Sequence, residues 1–402
     1  MRAAALALSL TLVPAAAWAS PPDLFGYGAR SSAMAGAGAS FVSDYSAVYA
    51  NPAGLGHLRE RAFTLGFAGA SFALELGEGR VPADTGFGTT IGLSLPLPFG
   101  GALRDRVGVG LGFFTPTNVV VRGRILRPET PQFPILPDRV QSVSVMAGLG
   151  VNLGYGFSVG GGVMVMAGLT GAVLVSADAS GRAGSRIDTQ LVATWSPVAG
   201  VQWRGRHLRV GATFRGEVEA RFLVTIEARD LGINIPVLNI SGVAQYDPAQ
   251  LQLEAAWVAD GWTVALALTG KRWSDWPGPV EATTPSSPAP PATEFTDTLV
   301  PRVALERRWA WSDGSRVALR GGYFYEPSPA PAASASRAYL DNDRHAFTAG
   351  VGFGARAAGS RFDVDVWAQL HWLAPRDAAL SQGAVSHGGT VLALGSTATV
   401  TF

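Results

Sequence analysis

Hydrophobic and polar residues alternate along most of the chain after about residue 60. In the stretch 361–372 the apolar positions are Phe362, Val364, Val366, Ala368, Leu370 and Trp372, and the positions between them are Arg361, Asp363, Asp365, Trp367, Gln369 and His371. The stretch 207–219 follows the same rule. The apolar stripe of a helix recurs every 3.6 residues, whereas that of a strand recurs every two. The pattern therefore predicts strands with one apolar and one polar face.

Two architectures share this alternation, because the apolar face of a strand can point into a soluble sandwich or out of a membrane barrel. The alternating segments run to ten residues or more, which is longer than strands of globular proteins usually are. The chain also ends in Val400-Thr401-Phe402, which resembles the C-terminal strand signal of bacterial outer-membrane barrels. Both observations favour the barrel.

The connections between the alternating segments fall into two kinds. Short turns are predicted at 98–104, 152–156, 204–206, 260–261, 313–314 and 358–359, and longer Pro-rich or polar loops at 77–86, 116–139, 176–185, 228–234, 277–296, 327–343 and 375–388. Short turns on one rim and long loops on the other are typical of outer-membrane barrels. The count predicts an all-β, antiparallel barrel of about fourteen strands within residues 61–402.

The N-terminus reads as a targeting segment followed by a segment of small residues. Arg2, an apolar run and Ala17-Trp18-Ala19 predict a signal peptide over residues 1–19. Residues 26–55 are rich in Gly, Ala and Ser, and side chains this small bury too little area to form a core. Such a segment is expected to fill a cavity made by another part of the chain. Within it, Asp44 is expected to cap a short helix and Pro52 to end it at Asn51.

Several motifs resemble the FadL family of outer-membrane transporters of long-chain fatty acids. They are Gly28, the run 33–39, Asp44, Ser46, Ala47, the stretch Asn51-Pro52-Ala53-Gly54-Leu55, the elements 271–274 and 320–329, and the segments 341–345 and 350–352. The resemblance implies a fourteen-stranded barrel whose N-terminal residues, 20–60, form a plug with the motif Asp44, Asn51, Pro52 and Ala53. The loop 116–139 departs from the family, whose best-known members have a long helical loop there.

The resemblance also implies a function and a location. The chain is expected to act in the outer membrane of a Gram-negative bacterium as a monomer without enzyme activity. It would admit long-chain fatty acids, or aromatic hydrocarbons as a neighbouring possibility, by passive diffusion. Its expected partners are this hydrophobic ligand, outer-membrane lipid and the barrel assembly machinery, which would recognise Phe402. In the third predicted strand Gly108, Gly110, Gly112 and Pro116 weaken strand pairing, and a kink there would open a lateral exit, as in the family.

Alternation also assigns residues to the lumen. Arginine suits a ligand carboxylate, so Arg215, Arg302 and Arg320 are candidate ligand residues, with Phe324 and Trp367 lining an apolar slot beside them. The alternative for most charges on the polar face, including Arg209, Glu217, Glu306, Asp363 and Asp365, is a network of ion pairs.

Composition excludes several other functions. A net charge of +1 provides no electrostatic surface for nucleic acid, and the chain has no Cys. The five His lack metal-ligand spacing, the glycine-rich stretches fit no nucleotide-binding motif, and no cofactor is expected. An outer-membrane lipid hydrolase remains an alternative, because His371 and His387 flank Ser381 and Ser386. A soluble β-protein and an open porin are further alternatives.

Overall fold

The computed structural model describes residues 21–83, 85–117, 127–137, 143–177, 183–229, 237–279, 292–381 and 383–402. The predicted signal peptide lies outside these residues, as do parts of several predicted loops. The described helices are α1 (Pro21–Phe25), α2 (Ala29–Ala33) and α3 (Ala47–Ala50), with 3-10 turns at Pro52–His57, Gly101–Leu103 and Trp273–Asp275. No helix in this part of the chain is long and apolar enough to cross a membrane.

The described residues contain seventeen strands. They are β1 (Ala62–Leu76), β2 (Gly79–Val81), β3 (Gly86–Pro96), β4 (Val107–Pro116), β5 (Ser144–Gly154), β6 (Phe157–Ala177), β7 (Ala183–Arg204), β8 (Leu208–Arg215), β9 (Val218–Arg229), β10 (Leu238–Asp247), β11 (Gln250–Ala259), β12 (Trp262–Lys271), β13 (Thr298–Ala310), β14 (Arg316–Glu326), β15 (Arg344–Ala357), β16 (Ser360–Leu380) and β17 (Gly383–Thr401).

Fourteen of these strands form a closed antiparallel barrel. Barrel strands that follow one another along the chain pair with each other, β8 pairs directly with β11, and β17 closes the ring on β1 with Thr401 opposite Ala62. The other three strands lie outside the ring, because β2 pairs with the end of β1 and β9 pairs with β10 as a hairpin. The predicted class, pairing direction and strand number are confirmed.

The apolar face of the strands points outward. In β16 the large apolar side chains at 362, 364, 366, 370 and 372 are 43–53% exposed, whereas Trp367 is 4% and His371 0% exposed. A soluble sandwich has the opposite arrangement. Exposing a large apolar side chain to water costs about 1.5–3 kcal/mol, so an outer surface built from such residues is stable only against an apolar medium.

Aromatic side chains gather near the rim that carries the short turns. The exposed ones include Tyr155, Phe157, Trp257, Trp262, Trp309, Trp311, Phe362 and Phe402. Rings with one apolar and one wet end are typical of the boundary between lipid and water. This belt therefore places one membrane surface beside the short turns, and the long loops at the opposite end.

Three predictions about local structure differ from the structure. The stretch 207–219 is not one strand, because β8 ends at Arg215 and β9 begins at Val218, which is buried. The strand β9 belongs to the hairpin β9–β10 and pairs in parallel with residues 169–176 of β6. The predicted loop 375–388 is mostly strand: β16 and β17 continue as a hairpin, and the register shift between Leu373 and Arg376 accommodates Pro375. The strands β6 and β7 likewise extend into the predicted loop 176–185.

Candidate ligand site inside the barrel

Residues 21–58, here called the inner segment, lie inside the barrel. Each residue from 22 to 58 is buried or half-buried. Side chains from well-separated strands of the ring hold the backbone of the segment: Thr213 of β8 donates to the carbonyl of Ala50 at 2.8 Å, and Thr348 of β15 donates to that of Ala33 at 2.8 Å. The segment is therefore bound across the full width of the lumen.

Glycines let the inner segment lie directly against the wall. A Cβ added at Gly108 of β4 would lie 2.3 Å from the carbonyl oxygen of Leu55, and one at Gly112 would lie 2.5 Å from the Tyr27 hydroxyl. These distances are far below van der Waals contact. Close approach of the segment thus explains the glycines that the sequence placed in the third barrel strand.

The same strand pairs along both of its edges. β4 is bonded to β3 from Gly108 to Pro116, and to β5 from Val107 to Phe114, without a register shift on either side. Beyond Phe114 only the pairing with β3 continues within the described residues. A lateral exit at Gly108, Gly110, Gly112 and Pro116 therefore requires the pairing between β4 and β5, here called a seam, to open.

The predicted plug motif has a specific geometry. Asp44 accepts hydrogen bonds from the amide and hydroxyl of Ser46, just before α3, and Asn51 ends that helix with an extended backbone. The Asn51 side chain accepts from the amide of Ala53 at 3.0 Å and donates to the carbonyls of Ala39 and of Val201 in the wall. Pro52 begins the following 3-10 turn. Asn51 thus joins two parts of the inner segment to β7.

Glu254 of β11 is a second fixed point. Its buried carboxylate accepts from the amides of Gly38, Ala39 and Ser40 at 2.8, 3.1 and 2.9 Å, and from the Ser40 hydroxyl at 2.6 Å. Hydrogen bonds to an ionised acceptor are roughly twice as strong as neutral ones. The middle of the inner segment is therefore held by one wall carboxylate.

Ion pairs fill the half of the lumen near the short turns. Glu306 pairs with Arg30 of the inner segment at 2.7 Å and with Arg320 at 2.8 Å, and Arg320 also pairs with Asp365. They border a chamber of about 630 Å³ that is also lined by Arg308, Arg316, Arg361 and Asp363. These residues therefore form the ion-pair network that the sequence analysis gave as the alternative to ligand binding. Arg320, a candidate ligand residue, belongs to this network and lies between two carboxylates.

The other half of the lumen has a cationic wall, formed by Arg215, Lys271, Arg302 and Arg344 of β8, β12, β13 and β15. The helix α1 presents Asp23 to it, and Lys271 Nζ lies 3.0 Å from Asp23 Oδ2 and 2.7 Å from Glu326 Oε1. Arg344 pairs with Glu326 at 2.5 Å. Arg215 and Arg302 donate to the carbonyls of Tyr49 and Ala35, and in each the buried Nε has no partner.

An apolar wall faces the cationic one. It contains Phe72, Leu74, Phe114, Trp367, Leu373, Val391 and Ala393 and packs in one cluster with Leu24 and Phe25 of α1. The ring of Phe25 also lies edge-on to His371 at 5.4 Å, and His371 lies edge-on to Phe324 at 5.4 Å. Phe324 and Trp367 are thus on the lumen face, as alternation predicts, and α1 occupies the space between the walls.

An aromatic cluster lies among the long loops above this section. Its residues are Ile135, Val243, Tyr246, Trp273, Trp276, Phe295, Ala330 and Tyr339. They come from five separate parts of the chain, including the hairpin β9–β10. All eight side chains are at most 6% exposed, so the cluster is a packed apolar core among the loops at this end of the barrel.

The loop 327–343 should pack more firmly as the pH falls. Burial raises the pKa of Asp341 from 3.8 to about 6, partly offset by the charge of Arg344. The carboxyl group of Asp341 binds a proton more tightly in the packed loop than in the unpacked one. The free-energy cost of burying a charged Asp341 is therefore fully present above pH 6 and is relieved as the pH falls from 6 to 4. A shift of two units corresponds to about 3 kcal/mol.

Hydrogen exchange of residues 330–342 at pH 5 and pH 7.5, corrected for intrinsic rates, measures this effect. Protection should be greater at pH 5, and Asp341→Asn should remove the difference. Equal protection of the wild-type loop at both pH values would show that the burial of Asp341 does not control it.

Sequence reasoning missed Asp23, Lys271 and Glu254. Alternation along β12 places Lys271 on the lumen face, and it is the only lysine among 31 lysine and arginine residues. A single lysine on the lumen face was the feature of the sequence that could have marked Lys271 as a site residue. Alternation along β11 places Glu254 on the lumen face in the same way, but Asp23 lies in a segment without alternation, and the partners of both residues lie more than 200 positions away.

Comparisons with known proteins agree with this architecture. No protein-family model matches the sequence, and no curated protein matches it either. Among solved structures, a Pseudomonas aeruginosa FadL homologue aligns over 97% of this chain and 98% of its own, with a TM-score of 0.60 and 16% identity.

Two toluene transporters align in the same way. TodX of P. putida covers 94% of this chain and 99% of its own (TM-score 0.57, 15% identity), and TbuX of Ralstonia pickettii covers 93% and 98% (TM-score 0.53, 15% identity). Identities this low establish the fold alone. The resemblance to the FadL family is thus confirmed at the level of the fold, which this chain shares with the FadL homologue and both transporters.

Proposed function

We propose that this protein carries hydrophobic small molecules passively across the outer membrane, with residues 20–60 as a plug, residues 61–402 as the barrel and residues 1–19 as the signal peptide. The observation that carries the proposal is the lumen divided into a cationic and an apolar wall with a helix of the inner segment between them. A barrel for sugars or ions has a wet, polar lumen instead.

The route has three stages. A ligand enters the aromatic cluster among the long loops, moves between the two walls as α1 gives way, and leaves sideways beside β4. The charged chamber near the short turns opposes direct passage, because transferring an apolar molecule from an apolar site into a polar one is unfavourable. Long-chain fatty acids and aromatic hydrocarbons both suit such a route, and the fold neighbours include a FadL homologue and a toluene transporter.

A transporter fits the lumen better than a lipid hydrolase. His371 is fully buried and bonds Gln369 at 2.8 Å, and His387 bonds Asn342 at 3.0 Å, whereas Ser381 and Ser386 are exposed. We also propose that the protein is a monomer, that its outer surface is surrounded by outer-membrane lipid, and that the exposed Phe402 is read by the barrel assembly machinery.

A disulfide across the seam between β4 and β5 should stop uptake. Phe113 and Val145 are direct partners in that seam, and the chain has no Cys of its own, so Phe113→Cys with Val145→Cys forms one defined bond. Oxidation should lower uptake of labelled oleate roughly tenfold or more in a host lacking its own fatty acid transporter, because the open population is removed. Reduction should restore it.

A pair on a distant seam is the control. Val264 and Leu305 are partners between β12 and β13, and locking them with cysteines should leave uptake unchanged. Unaltered uptake in the oxidised Phe113–Val145 variant would exclude an exit through this seam. Failure of the wild-type chain to support uptake of either oleate or toluene would exclude the transport function itself.

A further inference from the structure

Basic residues are concentrated at the end of the barrel that carries the short turns. The whole chain has 31 Lys and Arg residues against 30 Asp and Glu residues. Twelve of the arginines, but only four of the carboxylates, lie in the short turns and the residues that adjoin them, at 59–61, 97–106, 204–209, 260–261, 307–316 and 356–361. The rest of the chain has an excess of acidic residues. The charge is therefore polarised along the barrel, with the positive end on the side that faces the periplasm in outer-membrane barrels.

Part of this positive charge is neutralised inside the barrel. Arg308 points into the charged chamber and pairs with Glu306, and Arg316 and Arg361 both pair with Asp363 there. These arginines belong to the ion-pair network already described. They leave the arginines on the outer side of the same end unexplained.

Three arginines, here called the rim arginines, lie on that outer side: Arg61, Arg206 and Arg307. Arg61 and Arg307 continue the outward-facing rows of β1 and β13, two positions from Phe63 and Leu305, which are 44% and 46% exposed. Arg206 is exposed in the turn that precedes β8. A long cationic side chain at the end of a lipid-facing row extends its charged group to the level of the lipid head groups.

The contacts of Arg307 fix its guanidinium at that level. Its Cζ lies 4.9 Å from the ring centroid of Trp262 and 5.4 Å from that of Trp309, and its Nη1 donates to the carbonyl of Asp260. Both tryptophans belong to the aromatic belt that marks the membrane surface. Arg61 is joined to another residue of this belt, because its backbone amide and carbonyl both bond Phe402. The rim arginines are therefore held at the boundary between hydrocarbon and water.

We infer that the rim arginines bind the head groups of anionic phospholipids in the membrane leaflet beside the short turns. The phosphate is the anion that a bilayer presents at this level, and the planar guanidinium suits it. An anionic head group leaves its phosphate charge uncompensated, whereas a zwitterionic one carries its own cation. Each arginine near an anionic surface strengthens binding about fivefold. The inference goes beyond the proposed function, because it does not depend on what the barrel carries.

Native mass spectrometry of the protein in a non-ionic detergent tests this preference. The protein is titrated with phosphatidylglycerol or with phosphatidylcholine of the same acyl chains, and the Kd of the first bound lipid is compared. Phosphatidylglycerol should bind at least about fivefold more tightly. The ratio of the two Kd values should approach one when Arg61→Gln, Arg206→Gln and Arg307→Gln are combined. In the wild type it should also fall as ammonium acetate is raised from about 0.05 to 0.5 M.

A second triple variant with the same change in net charge is the control. Arg80→Gln, Arg186→Gln and Arg272→Gln alter three exposed arginines at the end of the long loops, and they should leave the ratio unchanged. Heat-dependent mobility on gels confirms that each variant is folded. Arg307→Gln alone provides a milder variant, which leaves the pairing of Arg61 with Phe402 in place and should lower the ratio at least twofold.

Four results would overturn the inference. They are equal Kd values of the two lipids for the wild type, a preference that survives the loss of all three rim arginines, a preference lost equally in both triple variants, and sedimentation with purified peptidoglycan that needs the rim arginines while the two lipids bind alike. The third result would mean that net charge alone decides the binding. The fourth would assign the rim arginines to the cell wall.

Discussion

Deletion of residues 20–56, with residues 1–19 retained, should turn a closed barrel into a conducting one. The inner segment spans the lumen, and its removal leaves a fourteen-stranded ring whose wall next to the segment carries glycines instead of side chains. Single-channel conductance in planar bilayers should rise roughly tenfold or more, because fourteen strands lie between filled eight-stranded barrels and open porins of sixteen.

Swelling of liposomes in small sugars gives an independent measure of the same change. Deletion of residues 312–314 in a short turn serves as the comparison, because it shortens the chain without touching the inner segment. If the truncated barrel is folded and its conductance equals that of the full chain, the inner segment does not close the lumen.

Glu254→Ala should release the middle of the inner segment while the barrel stays intact. The change removes one carboxylate that accepts four hydrogen bonds from residues 38–40. A cost of about 3 kcal/mol for losing bonds to a buried charged acceptor corresponds to a release roughly a hundredfold more frequent. Trypsin reports it directly, since Arg30 is the only lysine or arginine in residues 21–58.

Cleavage after Arg30 should therefore accelerate in Glu254→Ala and, less strongly, in Glu254→Gln, which keeps one oxygen acceptor. Glu75→Gln changes an exposed residue of β1 in the same way and should leave the rate as in the wild type. Equal rates in all variants would mean that the Glu254 carboxylate does not anchor the segment.

The barrel was predictable because its rules are local. Alternation fixes which side of a strand faces outward, and Asp-Gly turns fix where hairpins reverse, so the strand number followed from the sequence. The hairpin β9–β10 did not follow, because its parallel pairing with β6 joins Leu169 to Phe222 across the chain. The loop expected at 375–388 contains Pro375, but β16 and β17 pair with each other beyond it.

The sequence predicts which wall residues face the lumen, but not which residues they contact. Alternation placed Arg215, Arg302, Phe324 and Trp367 in the lumen, but it does not tell what each of them meets there. The partners of these residues belong to the inner segment, which has no periodic pattern of its own. Asp23 meets Lys271 only because the whole barrel brings two positions 248 residues apart into contact.

The anchors of the inner segment set an order for biogenesis. Ser40 and Glu254 are 214 positions apart, and Phe25 and Gln369 are 344 apart. The residues that leave the ribosome among the first thus have no binding partners until β11 and β16 have been inserted. The N-terminal residues are therefore expected to reach their final positions last. A chain that has lost its anchors is expected to form a complete but leaky barrel, harmful to its host in proportion to its expression.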